Sequence, residues 1–271
     1  ENMDKAHKQT DKILNNLEKE LEGVYKDAYI SISKKMEDLL KKIDLKEGEN
    51  NYSKAAKLKK FKQLQLQIAK EIAKINKQSV EEIVKMLDET VKINYDYVKE
   101  LITDQVEDLR WTMLNPNTYE AVLKEQDNPL FYLSVDNLEE RQRIYSKIKQ
   151  EMAVGLVQGE STYKIAKRLE RLLGVNYNSA IRIARTEITR AENISRLEAF
   201  KYAESLGVKQ MKSWVAAGDK RTRESHQNVN GELVPLDKPF SNGLMYPGDP
   251  MGSANEVVNC RCAMTTEIIG I

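Results

Sequence analysis

The chain has 271 residues, and its 43 lysines and arginines nearly balance 42 aspartates and glutamates, which gives a formal net charge of +1. That balance excludes a protein that binds nucleic acid over its whole surface, so any such attraction must come from local basic patches. Low glycine and proline content (12 and 6 residues) favours long helices, and no apolar run approaches the roughly 20 residues of a membrane span, so we expect a soluble protein made in the cytoplasm.

Residues 1–114 are predicted to form a long antiparallel helical hairpin. Apolar residues recur at spacings of three and four over 17–43 and again over 61–101, which places them on one face of each helix. The polar stretch at 48–51 supplies the turn between the helices. Such a hairpin is typical of a spacer or docking arm rather than of a substrate pocket.

The second of these helices carries a basic segment, with eight lysines and one acid, Glu71, between residues 54 and 77. A run of this kind usually forms a solvated helix face, and no aromatic stacking pattern accompanies it. The alternative is contact with DNA or with an acidic partner. The candidates for that contact are Lys57, Lys59, Lys60 and Lys62.

A connector is predicted at 115–135, which contains two Asn-Pro pairs that signal turns. Residues 136–206 are then predicted to form three helices, with breaks at 158–161 and at Gly174. The last two of these helices resemble a helix-turn-helix, although any two adjacent helices do so in sequence. Structural packing is the preferred interpretation.

Two arginines in the last of these helices have two possible roles. Arg182 and Arg185 could contact DNA phosphates, or they could, like Arg190, pair locally with Glu187 and Glu192.

Residues 208–268 are predicted to form a loop-rich β region. Residues 209–215 are predicted to form a strand because the run is short, follows Gly207 and ends at the Ala-Ala-Gly breaker at 216–218, and 256–264 form another strand candidate. Asn230 and Gly231 together are a strong hairpin-turn signal. The predicted fold is therefore mainly α with a small α+β C-terminal domain.

Cys260 and Cys262 are the two cysteines of the chain, and at positions i and i+2 of an extended strand they would face the same side. Both thiolates could then reach one metal ion, and cysteine with histidine is the usual zinc ligand set. His226 is one of two histidines in the chain and lies in the same region. A small, loop-rich region has little core, so a bound metal would hold its loops in place.

A fourth ligand could come from the acids of this region, of which Asp219 is preferred over Asp249 and Glu256. Two alternatives to a metal site stay open. The cysteines could be buried and inert, or they could form a strained disulfide and act in redox chemistry.

Between residues 136 and 266, about half of the chain, a series of uncommon residues occurs with characteristic order and spacing. The series includes Asp219-x-Arg-Thr-Arg, His226 and Asn-Cys-Arg-Cys at 259–262. This series resembles the family of phage Mu protein F-like minor head proteins, whose domain would occupy 136–271. Further residues of the series, to which we give a structural role, are Arg185, Glu187, Arg190, Asn193, Trp214, Arg221, Arg223, Gly231, Asp249, Glu256 and Asn259.

The resemblance implies a minor structural protein of a tailed-phage or prophage head, associated with the portal and present in few copies. It implies a part in procapsid assembly and in DNA packaging or ejection. Portal and capsid or scaffold proteins would be partners, and packaged DNA would be contacted without sequence preference. We expect the protein inside the head near the portal, and in the host cytoplasm during assembly.

The resemblance also strengthens the expectation of Zn²⁺ bound by Asp219, His226, Cys260 and Cys262. The competing hypothesis is a metal-dependent nuclease or other hydrolase with His226 as general base. Four protein ligands would close a zinc site and leave no position for water, and no nucleophile elbow, phosphate loop or metalloprotease helix motif is present. We therefore predict a structural protein without catalytic residues; a simple helical adaptor is a third possibility.

Overall fold

A computed structural model describes residues 4–41, 51–106 and 162–271, together with isolated positions between 109 and 154. The long helices are α1 (Lys5–Lys41), α2 (Asn51–Thr103) and α3 (Thr162–Ser205). After them come β1 (Lys209–Val215), α4 (Glu224–Asn228), β2 (Leu233–Pro235), α5 (Ala254–Val257) and β3 (Ala263–Gly270). The prediction of a mainly helical protein with a small C-terminal β region is confirmed.

Polar pairs show that α1 and α2 run antiparallel, as predicted. Thr10 of α1 accepts a hydrogen bond from Asn94 Nδ2 of α2 at 2.9 Å, and Lys35 pairs with Glu71. The turn predicted at 48–51 lies outside the described residues except for Asn51, the first residue of α2. No helix in the described ranges is both long and apolar enough to cross a membrane. Each helix buries an apolar stripe, which includes Leu17, Leu21, Ala28 and Ile32 on α1 and Ile68, Ile72, Ile75, Ile83 and Leu87 on α2.

α3 is one continuous helix of 44 residues, so the break predicted at Gly174 is wrong. Gly174 is exposed, and a Cβ added there would meet no atom within 4 Å. A glycine weakens a helix, but it does not end one when the turns on both sides continue the helix. Without a turn at this point, the suggested helix-turn-helix does not form.

The connector at 115–135 and the break at 158–161 lie outside the described residues, and the described positions between 143 and 154 are helical.

The three strands form an antiparallel sheet in the order β2-β1-β3. β1 has the predicted bounds, and its alternate residues Gln210, Lys212 and Trp214 are buried. Trp214 lies opposite Met264 of β3 in the strand register. Lys212 is fully buried, and its Nζ donates to backbone carbonyls of the 236–245 loop at 3.2 and 2.8 Å.

Two predictions for the β region differ from the structure. The turn at Asn230–Gly231 follows α4 and does not join two strands directly, although Gly231 has the positive φ (78°) that a hairpin turn requires. The strand predicted at 256–264 is wrong because α5 occupies its start and β3 begins only at Ala263. Between them, Asn259 has a left-handed backbone (φ 56°), which turns the chain away from strand geometry.

The described residues divide into two compact units. The first is drawn from Glu1–Leu17, Ile83–Asn128 and Arg182–Ile271, and the second from Glu18–Glu82 and Pro129–Ile181. The domain boundaries predicted at 114 and 136 lie outside the described residues, and the first unit includes parts of α1 and α2. Its core combines apolar residues of α2, α3 and the sheet region, among them Tyr95, Val98, Ile102, Val106, Leu197, Phe200, Trp214, Phe240 and Met264.

A fully buried arginine connects four parts of the first unit. Arg196 of α3 donates to Asp4 (2.6 and 3.0 Å), to Glu192 (2.9 Å), to Asn94 (2.9 Å) and to the Met264 carbonyl (2.9 Å). These five hydrogen bonds match the five N–H donors of the Arg196 guanidinium one for one, so each of its donors has an acceptor.

Candidate metal centre

Three of the residues predicted as metal ligands lie together in the first unit. His226 Nδ1 is 3.7 Å from Cys260 Sγ and 3.5 Å from Cys262 Sγ. All three residues are at most 2% exposed, and one ligand atom from each lies within 4.8 Å of the others. Because nitrogen and sulfur atoms converge on one point, His226, Cys260 and Cys262 form a possible metal-binding group.

The ring of His226 is fixed by its neighbours. Nε2 lies 3.0 Å from Glu256 Oε2, which also accepts a hydrogen bond from Ser225 Oγ at 2.8 Å. Because a carboxylate accepts hydrogen bonds, we assign the imidazole proton to Nε2, which leaves the lone pair of Nδ1 facing the sulfurs. Trp214 packs edge-to-face on the ring, with centroids 5.0 Å apart. Histidines bound to zinc commonly donate their second nitrogen to a carboxylate in this way.

α3 holds the cysteine segment through a row of polar side chains. Thr186, Thr189 and Asn193 bind backbone groups of residues 259, 260 and 262 at 3.1, 2.7 and 3.1 Å. Their spacing of three and four places them on one face of the helix. A structural role was predicted for Asn193 but not for Thr186 or Thr189. The available signal was this spacing of three and four between short polar side chains.

The two thiols have opposite pKa shifts. A hydrogen bond from Cys260 is the largest cause of a lowered pKa of Cys262, and it outweighs the opposing effect of burial. The same bond between the two sulfurs, together with burial, raises the pKa of Cys260. A thiolate is the form of cysteine that binds metals and attacks electrophiles. Cys262 is therefore the sulfur closer to that form.

The structure does not bring Asp219 to this group. Its carboxylate binds the guanidinium of Arg261 at 2.6 and 2.7 Å and accepts the N–H of Arg221 at 2.9 Å. The hydrogen bond from Arg261 is the largest cause of a strongly lowered pKa of Asp219. Asp219 therefore holds its own loop to Arg261.

The two competing acids have other partners. Asp249 is buried and accepts the backbone N–H groups of Met245 and Met251 at 2.8 and 2.9 Å, so it stabilises a turn. Glu256 contacts the nitrogen of His226 that faces away from the sulfurs. It is therefore placed to orient a ligand rather than to be one.

The spacing of the three ligand atoms suits a tetrahedral zinc ion. Zinc bonds of about 2.3 Å to sulfur and about 2.0 Å to nitrogen, at tetrahedral angles, require N···S separations of about 3.5 Å. The observed separations are 3.5 and 3.7 Å. His226, Cys260 and Cys262 could thus hold the ion with little movement, and they fill three of its four positions.

Three protein ligands would leave one position of a zinc ion open, so the number of ligands does not argue against catalysis. The argument against a His226 general base depends on the surroundings of its ring. One ring nitrogen faces Glu256, the other faces the sulfurs, and the residue is 1% exposed. A general base must reach the proton that it removes. An imidazole with both nitrogens engaged in the interior does not meet that requirement.

The residues proposed for DNA contact lie in α2 and α3. Lys57, Lys59, Lys60 and Lys62 belong to α2, and their side chains are outside the described part of the structure. Arg182 is exposed on α3. Arg185 is half-buried and lines a surface cleft together with three further arginines.

Most other residues of the sequence series hold backbone or core. Glu187 and Arg190 form a buried ion pair at 3.4 Å, and Arg223 donates to the Val258 carbonyl. Trp214 is fully buried in the core. These contacts give the series a structural meaning, because they fix the loops that carry His226 and the two cysteines.

Comparison with known proteins places the same region in a family. The family model described as Phage Mu protein F like protein matches residues 146–265. No solved structure matches the chain.

Three relatives extend this finding. Minor head protein GP7 of Bacillus phage SPP1 is 26% identical over the whole chain, which covers 88% of that protein. An NAD(+)–arginine ADP-ribosyltransferase, EFV, of Enterococcus faecalis is 34% identical over 48% of the chain, and the alignment covers 27% of its length. The protein YqbB of Bacillus subtilis is 31% identical over 42% of the chain, which corresponds to 40% of YqbB. The chain thus spans less than half of the latter two proteins and most of the first.

Proposed function

We infer that this chain, which belongs to the family of phage Mu protein F-like minor head proteins, is a structural component of a phage head that acts at the portal vertex. Family membership supports a role in head morphogenesis. The observation that carries the inference is the alignment with minor head protein GP7, because it includes the helices as well as the metal-centre region and covers 88% of that relative.

The finer parts of the proposal concern place and partners. We propose that a few copies bind portal and capsid or scaffold proteins in the host cytoplasm during procapsid assembly, and that they stay inside the head when DNA is packaged or ejected. The exposed polar faces of α1 and α2 are the surfaces proposed for docking. Contact with packaged DNA would depend on phosphates and not on base sequence.

The test is an in-frame deletion of the coding sequence from the phage or prophage that carries it, with the chain restored from a plasmid. We expect fewer infectious particles after deletion, together with altered head yield or DNA content, and recovery on complementation. Mass spectrometry of purified heads should find the chain at a few copies per portal. Normal heads without the chain would contradict the structural role, and a copy number equal to that of the major capsid protein would contradict the portal position.

We also propose that His226, Cys260 and Cys262 bind Zn²⁺ as a structural ion. The support is the convergence of three buried ligand atoms at tetrahedral spacing and the carboxylate of Glu256 behind the imidazole. When bound, the ion would tie α4 to the segment before β3 and thereby stabilise the loops between them.

Cobalt substitution tests this ligand set. Co²⁺ bound by two thiolates and an imidazole should give visible tetrahedral bands and a sulfur charge-transfer band, and both should be lost in Cys262→Ser. The same preparation should leave plasmid DNA intact. Metal-dependent cleavage that His226→Ala abolishes would overturn the structural assignment in favour of a nuclease.

A further inference from the structure

A surface cleft in the first unit concentrates positive charge. It has a volume of about 430 Å³ and lies between α3, the loop before α4 and the segment from α5 to Cys262. None of its eight lining residues is acidic or aromatic. Six of them carry side-chain hydrogen-bond donors: Arg185, Arg221, Arg223, Asn255, Asn259 and Arg261.

The metal centre and the cleft share one backbone segment. Arg261 lies between the two buried cysteines, and in an extended segment neighbouring side chains point to opposite sides. The sulfurs face His226 in the interior, whereas the Arg261 side chain is 29% exposed and lines the cleft. The bonds from Thr186 and Thr189 of α3 to this segment keep it beside Arg185.

Protein acceptors hold two of the guanidinium groups in place. Arg261 is bound by Asp219 through both terminal nitrogens, at 2.6 and 2.7 Å, and Arg223 donates to the Val258 carbonyl. A guanidinium has five N–H donors, so these bonds fix the groups and leave donors for a ligand. Preorganised donors lose less conformational entropy on binding than flexible side chains do.

The charge of the cleft exceeds that of the chain. Four arginines line it, and Asp219 is the acid in contact with two of them, at 2.6 Å from Arg261 and 3.8 Å from Arg221. All four charged side chains of the lining are positive, although the whole chain is nearly neutral, with a formal net charge of +1. Such local concentration attracts anions.

We propose that this cleft binds phosphate groups of the duplex DNA backbone. The proposal rests on the DNA contact proposed above and assigns it to a site other than the lysines of α2. The planar fork of arginine matches two phosphate oxygens at once. Because no aromatic residue lines the cleft, bases have no stacking partner there, and binding should be indifferent to sequence.

The test measures affinity for a short DNA duplex by fluorescence anisotropy over a series of salt concentrations. The cleft variant is Arg185→Gln with Arg221→Gln, which leaves the two anchored arginines in place. The control, Lys164→Gln with Arg171→Gln, removes the same charge from exposed positions of α3 outside the cleft. Circular dichroism and thermal unfolding check that both variants keep the fold.

We expect the slope of log affinity against log salt to decrease by about 2 in the cleft variant and to stay unchanged in the control. Two unrelated duplex sequences should give equal affinities. An equal decrease in both variants would overturn the cleft assignment while DNA contact stands. Absence of salt-dependent DNA binding by the unmodified chain would overturn the DNA contact itself and the cleft with it.

Discussion

Glu256 shows at the scale of a single residue how the candidate centre is prepared. Its carboxylate lies 3.0 Å from His226 Nε2 and also accepts a bond from Ser225. This arrangement selects the tautomer whose Nδ1 lone pair faces both sulfurs. The carboxylate therefore acts on a metal ion only through the imidazole, as a positioning group.

We predict that Glu256→Ala lowers zinc affinity by about 10- to 100-fold, because the ring loses the hydrogen bond that orients it. Glu256→Gln, whose amide oxygen can still accept from Nε2, should recover part of the loss. Competition with a chromophoric chelator measures both. Glu224→Ala, in α4 two residues before His226, is the control and should bind like the unmodified chain. Equal affinities for all four proteins would remove Glu256 from the centre.

The sequence predicted which histidine and cysteines lie together in the candidate metal centre, but it did not predict the partner of the acid Asp219. The Cys-x-Cys spacing and a nearby histidine suffice to predict a group of His226, Cys260 and Cys262, because local backbone geometry limits where i and i+2 can point. The role of Asp219 could not be predicted, since it depends on Arg261, 42 residues later in the chain. From sequence alone, a loop carboxylate that binds an arginine cannot be distinguished from one that binds a metal ion.

Among the secondary-structure elements, the bounds of a short strand between clear breakers could be predicted from the sequence. The effect of a single glycine on a long helix could not. β1 was found at its predicted position because Gly207 and the Ala-Ala-Gly at 216–218 bound a seven-residue run. Gly174 was misread because the helix cost of one glycine is small, and the helix continues on both sides of it. The sequence around 256–264 was misread because the left-handed Asn259 lies within a run of β-type residues.

The continuous α3 gives a direct prediction. Gly174→Ala should stabilise the protein by about 0.5–1 kcal/mol, because alanine costs less backbone entropy in a helix and its Cβ meets no atom within 4 Å. Thermal unfolding followed by helical circular dichroism measures the effect. Gly248→Ala serves as the contrast: it should destabilise, since Gly248 has φ +84° and its Cβ would lie 3.1 Å from Arg190 Cα. Destabilisation by Gly174→Ala would indicate a break that the continuous helix lacks.

The contact between α1 and α3 predicts a dependence of stability on pH. Burial lowers the pKa of His7, but the hydrogen bond and charge of Glu192, at 2.8 Å, outweigh burial and raise it above the ordinary 6.5. Protonated His7 therefore stabilises the fold fully below pH 6.5, and this contribution is lost as the pH rises through the raised pKa.

Urea unfolding followed by tryptophan fluorescence measures this dependence, because Trp111 and Trp214 both belong to the first unit. The free energy of unfolding should decrease as the pH rises above 6.5, and His7→Gln should flatten that decrease. Lys201→Gln, which breaks an exposed pair with Glu198, should leave it unchanged. An identical pH profile in His7→Gln would show that another group titrates.

At the scale of the whole molecule, the family region does not make up the first unit by itself. Tyr95, Val98 and Ile102 of α2 belong to the core around Trp214, and Asp4 and Asn94 bind the buried Arg196. We predict that a fragment of residues 136–271 unfolds without cooperativity and binds a hydrophobic dye, unlike the full chain. Removing partners of a buried charge costs about 3–5 kcal/mol. Cooperative unfolding of that fragment would show that its half of the chain is self-sufficient.

We propose that His226, Cys260 and Cys262 hold one zinc ion that organises the C-terminal region. Native mass spectrometry of the full chain, expressed with zinc and purified without chelators, tests this proposal. The mass should exceed that of the polypeptide by one zinc ion, and the Cys260→Ser, Cys262→Ser double variant should have the mass of the polypeptide alone. A metal-free mass for the unmodified chain, or equal zinc in the double variant, would contradict the claim.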